Sequence, residues 1–325
     1  MTLLDLPSTI DAGALHTLVP PAGAAASIDP ASPAFEMCRR ITRDRARNFY
    51  LGLRLAPEPR RSALLALYTW MRHADDLADA GGPVATPATR RRDLARLRDL
   101  TIRAFASGTA PDDAPPWWAA FRQLVRGHPI PQELFTQPLD ALERDSGGAE
   151  LADTRDLAWY TDRVAGTVAT ACVIIWGVRR AEFAPRAQRL AILRARAVQL
   201  TNILRDIRED LESVPARRYI PRDSLRRHAL TGDALLAWRP EERCVALIQG
   251  WIDQARALYL ASEDLELLVS PSCARVAWAL AAMYRALLER IALDPSAVSR
   301  GRVRVPPRRR VGIAVRGWLG VGLAG

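Results

Sequence analysis

Gln199-Leu200-Thr201-Asn202-Ile203-Leu204-Arg205-Asp206-Ile207-Arg208-Glu209-Asp210 is the stretch from which the fold is read. Placed on a helix at 100° per residue, Gln199, Asn202, Asp206 and Asp210 fall within about 80° of one another. They make one polar stripe, and Leu200, Ile203, Leu204 and Ile207 occupy the other faces. Polar groups surrounded by apolar ones need partners inside the protein. The pattern predicts a buried helix whose polar edge faces a cavity.

A second acidic edge lies far upstream. In Asp75-Asp76-Leu77-Ala78-Asp79, Asp75 and Asp79 are four apart and share a helical face. Like charges so placed cost about 0.2–0.5 kcal/mol in an isolated helix. They also sit near a predicted C-terminus, the wrong end of the macrodipole for acids. A divalent cation between them removes the conflict, and Mg²⁺ commonly bridges one or two carboxylates to substrate phosphates. A solvated acidic helix end beside a turn would show the same five residues, so the pentapeptide alone is weak.

The two segments together are more specific. Each places acids at i and i+4 with an arginine just upstream, Arg72 before Asp75 and Arg205 before Asp206. Two such edges facing each other repel unless cations and an anion lie between them. A diphosphate held by several Mg²⁺ ions meets that requirement, with arginines on the remaining phosphate oxygens. Ionising a carbon–oxygen bond to diphosphate is electrostatic work of this kind.

Bulk composition agrees with a helical enzyme. The 325 residues are 49% hydrophobic and 25% charged, enough for one large helical domain or two small ones. Leucine, alanine and arginine dominate and favour helices. All 46 basic residues are arginine, and the net charge is +10. These arginines are interleaved with acids rather than clustered, which argues against nucleic acid as a partner. Cys38, Cys172, Cys244 and Cys273 show no CxxC spacing and read as reduced core thiols, which points to the cytoplasm. No signal peptide and no membrane-spanning apolar run is visible.

Helical spacing predicts segments near Phe35 to Arg47, Arg60 to Ala80, Ala88 to Ala106, Trp117 to Arg126 and Gln132 to Arg144. Others follow at Thr154 to Gly177, Arg186 to Leu211, Glu241 to Leu268 and Ser272 to Leu293. Gly81-Gly82-Pro83 is read as a sharp stop. Residues 1–32 are expected to be a flexible tail, 33–300 the catalytic domain and 301–325 a basic tail.

These motifs resemble the squalene/phytoene synthase family over approximately residues 35–310. The matching pieces are Asn48 to Leu55, Tyr68 to Asp79, Arg163-Val164-Ala165-Gly166-Thr167-Val168, Gln199 to Asp210, Arg218-Tyr219-Ile220-Pro221 and Met283-Tyr284-Arg285. The resemblance implies an all-α, single-domain bundle of the class I isoprenoid synthase type around a central cavity. It implies head-to-head coupling of two farnesyl or geranylgeranyl diphosphates through a cyclopropylcarbinyl diphosphate. Asp75 and Asp79 would bind Mg²⁺ on one side, and Asn202, Asp206 and Asp210 on the other. Arg72, Gln199, Arg205 and Tyr219 would hold or organise diphosphate. Phe49, Tyr68 and Tyr284 would line the cavity near the reacting carbons, where aromatic faces stabilise cations, and Tyr160 would bind substrate. The apolar run from Val164 to Trp176 would supply one wall.

Three positions depart from the family pattern. Asp162 stands where many members have an aromatic, Arg45 where several have histidine, and Ala169 where glycine is common. A further metal or water contact is one use for Asp162. Two rival readings remain: a class I terpene cyclase, since Asp75 to Asp79 also fits DDxxD, and a non-catalytic helical assembly factor. No GxGxxG fingerprint indicates NADPH, which leaves a donor bound within the cavity open. The segment Arg304 to Leu323 is expected either to rest peripherally on the inner face of a membrane or to be a frayed end.

Overall fold

Most of the long helices form where the apolar spacing places them. The computed structural model describes residues 2–10, 28–79, 86–106, 111–148 and 150–320, with residues 47–49 described by backbone alone. In chain order the helices are α1 (Pro33–Arg45), α2 (Arg47–Leu53), α3 (Arg60–Ala78), α4 (Pro87–Phe105), α5 (Trp118–Gly127) and α6 (Glu133–Asp145). They continue with α7 (Thr154–Thr161), α8 (Thr167–Trp176), α9 (Ala184–Glu212), α10 (Arg222–Arg227), α11 (Gly232–Leu236) and α12 (Glu241–Ala261). Last come α13 (Leu265–Leu268), α14 (Pro271–Leu293), α15 (Ala297–Arg300) and α16 (Pro307–Leu319). Among the described residues there is no strand, only two isolated bridges. The expected stop at Gly81-Gly82-Pro83 lies outside the described residues.

Buried side chains gather in two clusters. One joins α1, α3, α4, α5 and α8. Its centre is Trp70, stacked on Phe121 at 5.9 Å and edge-on to Phe135 at 5.0 Å. The Trp70 indole N–H donates to Thr101 at 2.9 Å, so its burial leaves no orphan donor. The other cluster joins α9, α12 and α14 around Leu204, Trp251 and Tyr259. A cavity lies between them, with α3 and α8 on one wall and α9 and α14 on the other. The four cysteines are unpaired.

The expected helix over Thr154 to Gly177 is divided. A π-helical turn at 162–166 separates α7 from α8. Thr167 and Thr170 hydroxyls donate to the Arg163 and Gly166 carbonyls at and just after this turn. The extra residue in the turn points Asp162 away from the cavity and leaves Val164, Ala165 and Val168 on it. The helix expected over Glu241 to Leu268 also breaks, at Ser262. There the chain turns so that Ser262 and Glu266 can satisfy the buried Arg194 guanidinium, with Nε 2.9 Å from Ser262 Oγ and Nη1 2.7 Å from Glu266.

Residues 2–10 are not the flexible tail their composition suggests. Arg196 is 1% exposed, and all five of its N–H groups have acceptors. Two bonds go to Asp162, at 2.7 and 2.9 Å. The other three go to the carbonyls of Leu3, Leu6 and Pro7. Asp162 in turn accepts from the Thr9 N–H at 2.7 Å. Gly166 lets the segment approach: a Cβ there would stand 2.9 Å from Ile10. Asp162 is fully buried in this network, so it supplies no metal or water contact in the cavity. Nor are residues 301–320 merely a tail. Val303 and Val305 are buried, and α16 packs on α14 and α2. Alternation and a short amphipathic helix are hard to separate from a frayed basic end by composition.

Removing one partner from a buried ion pair strands the other. Arg196→Ala should therefore lower unfolding stability by about 3–5 kcal/mol. Denaturant unfolding of parent and variant measures this, and a loss below about 1 kcal/mol, the range of exposed pairs, would show that the network contributes little.

Candidate active site

Along α3 and α9 the cavity-facing side chains change from apolar to acidic toward the C-terminal end. Leu64, Leu67 and Met71 give way to Asp75 and Asp79 on α3. Ala191, Ala195 and Val198 give way to Asn202, Asp206 and Asp210 on α9. Both acidic groups lie toward helix C-termini, where the helix dipole adds negative potential to the carboxylates. The cavity holds about 1210 Å³, more than the roughly 300–1,000 Å³ of an ordinary small-molecule pocket. The π-turn supplies Val164 and Ala165 to its wall, and α8 supplies Val168, Ala169, Cys172 and Trp176. The small residues in that stripe leave width for a chain-like ligand.

Arg217 joins the two acidic edges. Its Nη1 contacts Asp79, and its Nη2 lies 3.0 Å from Asp210 Oδ1. The Arg217 backbone N–H also donates to the Asp210 carbonyl at 2.9 Å. One guanidinium thus touches both edges, so both lie within reach of one ligand. Burial works against its charge, but Asp79, Tyr219 and Asp210 outweigh burial and hold it protonated. Other arginines stand in similar positions. Arg205 Nε donates to Asp206 at 2.8 Å, and Arg302 reaches Asp206 and Glu209, each at 3.2 Å. Arg72 pairs with Asp76, and Arg45 approaches Asp76 at 3.9 Å.

Two carboxyls carry the cost of this arrangement. Asp75 is pushed up to about 7 by the protein around it and by Asp79. Asp75 is nonetheless wetted through the cavity it lines, and that water screens part of the effect. Asp210 is also pushed up to about 7, by burial that Arg217 partly offsets, with Asp206 adding to the rise. Asn202 Oδ1 is buried without a hydrogen-bond partner. Among the described residues no three His, Cys, Asp or Glu side chains converge into a ready-made ion cage.

The remaining expected residues fall on the same cavity: Arg72, Gln199, Arg205, Tyr68, Tyr160, Tyr219 and Tyr284 all line it. The Tyr68 hydroxyl is pushed up to about 12 by burial. Tyr160 stacks on Tyr219 with centroids 4.7 Å apart, and Tyr219 donates to Asp145 at 2.7 Å. Phe49 belongs to α2, but its side chain lies outside the described residues. Arg45 and Ala169, two of the departures from the family pattern, line the cavity as well.

Sequence reasoning missed Arg217, Arg302 and Asp145. The Arg217-Arg218 doublet was visible, but Arg218, the residue quoted in the motif, is exposed and off the cavity. Arg302 sat in an apparent tail, and its signal is the alternation Arg302-Val303-Arg304-Val305. Asp145 ends an ordinary amphipathic helix, and only its burial marks it.

The chain resembles known proteins along most of its length. The sequence profile described as "Squalene/phytoene synthase" matches residues 42–309. A phytoene synthase of Mycobacterium tuberculosis is 31% identical over 284 residues, 86% of this chain and 89% of that protein. A 15-cis-phytoene synthase of Synechococcus elongatus is 31% identical over 299 residues, covering 90% and 94%. Among solved structures, a dehydrosqualene synthase superposes with a TM-score of 0.76 at 24% identity, covering 89% and 96%. The squalene synthase HpnC from Alicyclobacillus acidocaldarius gives 0.69 at 27% identity, covering 83% and 95%.

The raised Asp75 carboxyl has a consequence for stability. A carboxyl whose folded value exceeds its unfolded one binds its proton more tightly in the folded state. Stability is therefore lost as pH rises from about 4 toward about 7, and the full penalty remains above that. In metal-free buffer, Asp75→Asn should raise the melting temperature more at pH 8 than at pH 5. Equal gains at both pH values would show that the folded Asp75 titrates normally.

Proposed function

The chain belongs to the squalene/phytoene synthase family and joins two prenyl diphosphates head to head; on that premise we propose that it couples two geranylgeranyl diphosphates to a phytoene-type product with Mg²⁺. The observation that carries the reading is Arg217 touching Asp79 and Asp210 on the wall of a large cavity that is acidic along one part and apolar along another. The C20 substrate and the product class follow the phytoene synthases that the chain resembles along most of its length.

The donor set suits Mg²⁺. It is made of oxygens, it includes the unpartnered Asn202 Oδ1, and it places only one or two carboxylates at any point. An ion there would draw its other ligands from phosphate and water, as Mg²⁺ does. Asp75 and Asp79 would hold it on one side, and Asn202, Asp206 and Asp210 on the other. When bound, it supplies positive charge to the departing diphosphate.

The chain's own residues do the rest. Arg72, Arg205, Arg217 and Arg302 exchange their carboxylate partners for phosphate oxygens as substrate enters. A diphosphate at the acidic end lays its prenyl tail along α8, beside Ala165, Ala169 and Cys172. The first substrate ionises and releases its diphosphate, and its allylic C1 cation adds to the double bond of the second; loss of a C1 proton then closes the ring of a cyclopropylcarbinyl diphosphate. Tyr68 and Tyr284 offer ring faces and hydroxyl dipoles to the cationic carbon. The apolar walls keep water from quenching it. The intermediate then loses its diphosphate, rearranges to an allylic cation and gives up a proton to form the linear product.

The C-terminal helix extends this reading to a lipid surface. Among the described residues no helix is long and apolar enough to cross a membrane. Yet Val311, Val315, Trp318 and Leu319, spaced as one helical face of α16, are 49–68% exposed. Arg304, Arg308 and Arg309, at and just before the start of α16, are exposed as well. An apolar stripe with a basic margin suits an anionic bilayer surface. Residues 302–307, which lead into α16, line the cavity, so a lipid-like substrate has a short path from bilayer to site.

Mass spectrometry of products from farnesyl and geranylgeranyl diphosphates, with Mg²⁺ and with or without NADPH, tests the chemistry. A C40 hydrocarbon independent of NADPH is expected. A C30 product would overturn the C20 assignment, and a need for NADPH would replace proton loss by hydride capture. Asp206→Ala should lower turnover by about 10²–10³-fold, as loss of a transition-state electrostatic contact does, with the helical circular dichroism unchanged. Parental activity in that variant would remove Asp206 from the site. In sedimentation assays the protein should bind vesicles rich in anionic lipid, and Trp318→Glu should weaken this. No binding by the parent would leave α16 as a packing element only.

A further inference from the structure

Asp145 has features that diphosphate binding does not use. It is the last residue of α6, lies on neither acidic edge, and is 8% exposed, yet it lines the cavity. Its Oδ2 accepts from the Tyr219 hydroxyl at 2.7 Å, and its Oδ1 is buried with no hydrogen-bond partner. Tyr160 stacks on Tyr219, and its hydroxyl also faces Asp145. A buried carboxylate with an unused lone pair is costly to keep unless it has a task. This one stands behind a tyrosine, at the wall of a cavity in which carbocations are made.

We propose that Asp145, acting through the Tyr219 hydroxyl, takes up the proton lost when the coupled product forms its new central double bond. The inference rests on the phytoene-type reading, in which the last cation is neutralised by proton loss. In that step a C–H bond beside the allylic cation breaks, and its electron pair becomes the C=C bond. The proton passes to the Tyr219 oxygen as the proton already there passes to Asp145 Oδ2. One C–H bond is lost, one O–H bond is gained, and no oxidant or reductant is required.

Concerted transfer avoids a free tyrosinate, which burial strongly disfavours at Tyr219. Burial also raises the Asp145 carboxyl to about 6, against the tyrosine hydrogen bonds and the charges of Arg217 and Arg144. It is therefore a stronger base than an exposed aspartate and still ionised near neutrality. Asp145 is a positioning residue in this scheme, and Tyr219 is the group that meets the substrate.

Asp145→Asn separates basicity from structure, because the amide oxygen can still accept from Tyr219. Single turnovers with C1-deuterated geranylgeranyl diphosphate and Mg²⁺ would be quenched and analysed by mass spectrometry. The readout is the ratio of C40 hydrocarbon to cyclopropylcarbinyl diphosphate and water-quenched C40 alcohols. That ratio should fall by about 10²-fold, the low end of general-base contributions, and a deuterium isotope effect on hydrocarbon formation should emerge. Asp145→Glu should recover part of the ratio. An unchanged ratio in Asp145→Asn, whether or not total turnover drops, would overturn the assignment and make Asp145 purely structural. A parent enzyme yielding only hydride-terminated product would instead sink the phytoene-type reading, and the parent alone reveals that outcome.

Discussion

Everything at the site depends on holding carboxylates of two helix ends against one another. Asp75 and Asp79 end α3, Asp206 and Asp210 lie near the end of α9, and both ends add their own negative dipole. Nothing in local helix energetics favours this. Arg217 makes it tolerable by contacting Asp79 and Asp210 together, with Arg205 and Arg302 on Asp206. The raised Asp75 and Asp210 carboxyls show that the neutralisation is partial. The site is left short of positive charge.

The apolar part of the cavity follows from the same two helices read toward their N-termini, closed by α8. Its shape depends on a local irregularity. The π-turn at 162–166 shifts the register between α7 and α8, so that Asp162 faces Arg196 while Ala165, Val168 and Ala169 face the substrate space. Without that shift a single regular helix would carry a buried carboxylate round toward the cavity. The departure at Asp162 is thereby paired with Arg196, whose remaining N–H groups hold the carbonyls of Leu3, Leu6 and Pro7 in the same buried unit.

Both ends of the chain complete the body. The amino-terminal segment satisfies the Arg196 guanidinium, which no helix reaches alone. The carboxy-terminal segment brings Arg302 to Asp206 and Glu209 and then lays α16 over α14, where Gly317 allows contact with Leu55 at a distance a Cβ would reduce to 2.9 Å. One connected piece of chain thus contributes a wall of the cavity and an exposed apolar helix face.

Sequence by itself determined the helical class, the two acidic edges and the apolar α8 wall. Each is a matter of spacing along one helix, where residues three or four apart are neighbours wherever the helix goes. Gln199, Asn202, Asp206 and Asp210 share a face for that reason alone. Only the tertiary structure decided that Arg217 rather than Arg218 faces the site, that Asp145 stands behind Tyr219, and that residues 2–10 close over Arg196. Those contacts join residues tens to hundreds of positions apart, through loops and a π-turn that no helical period describes. A buried hydrogen bond between distant residues leaves no periodic trace, because its partners are brought together by the packing of whole helices.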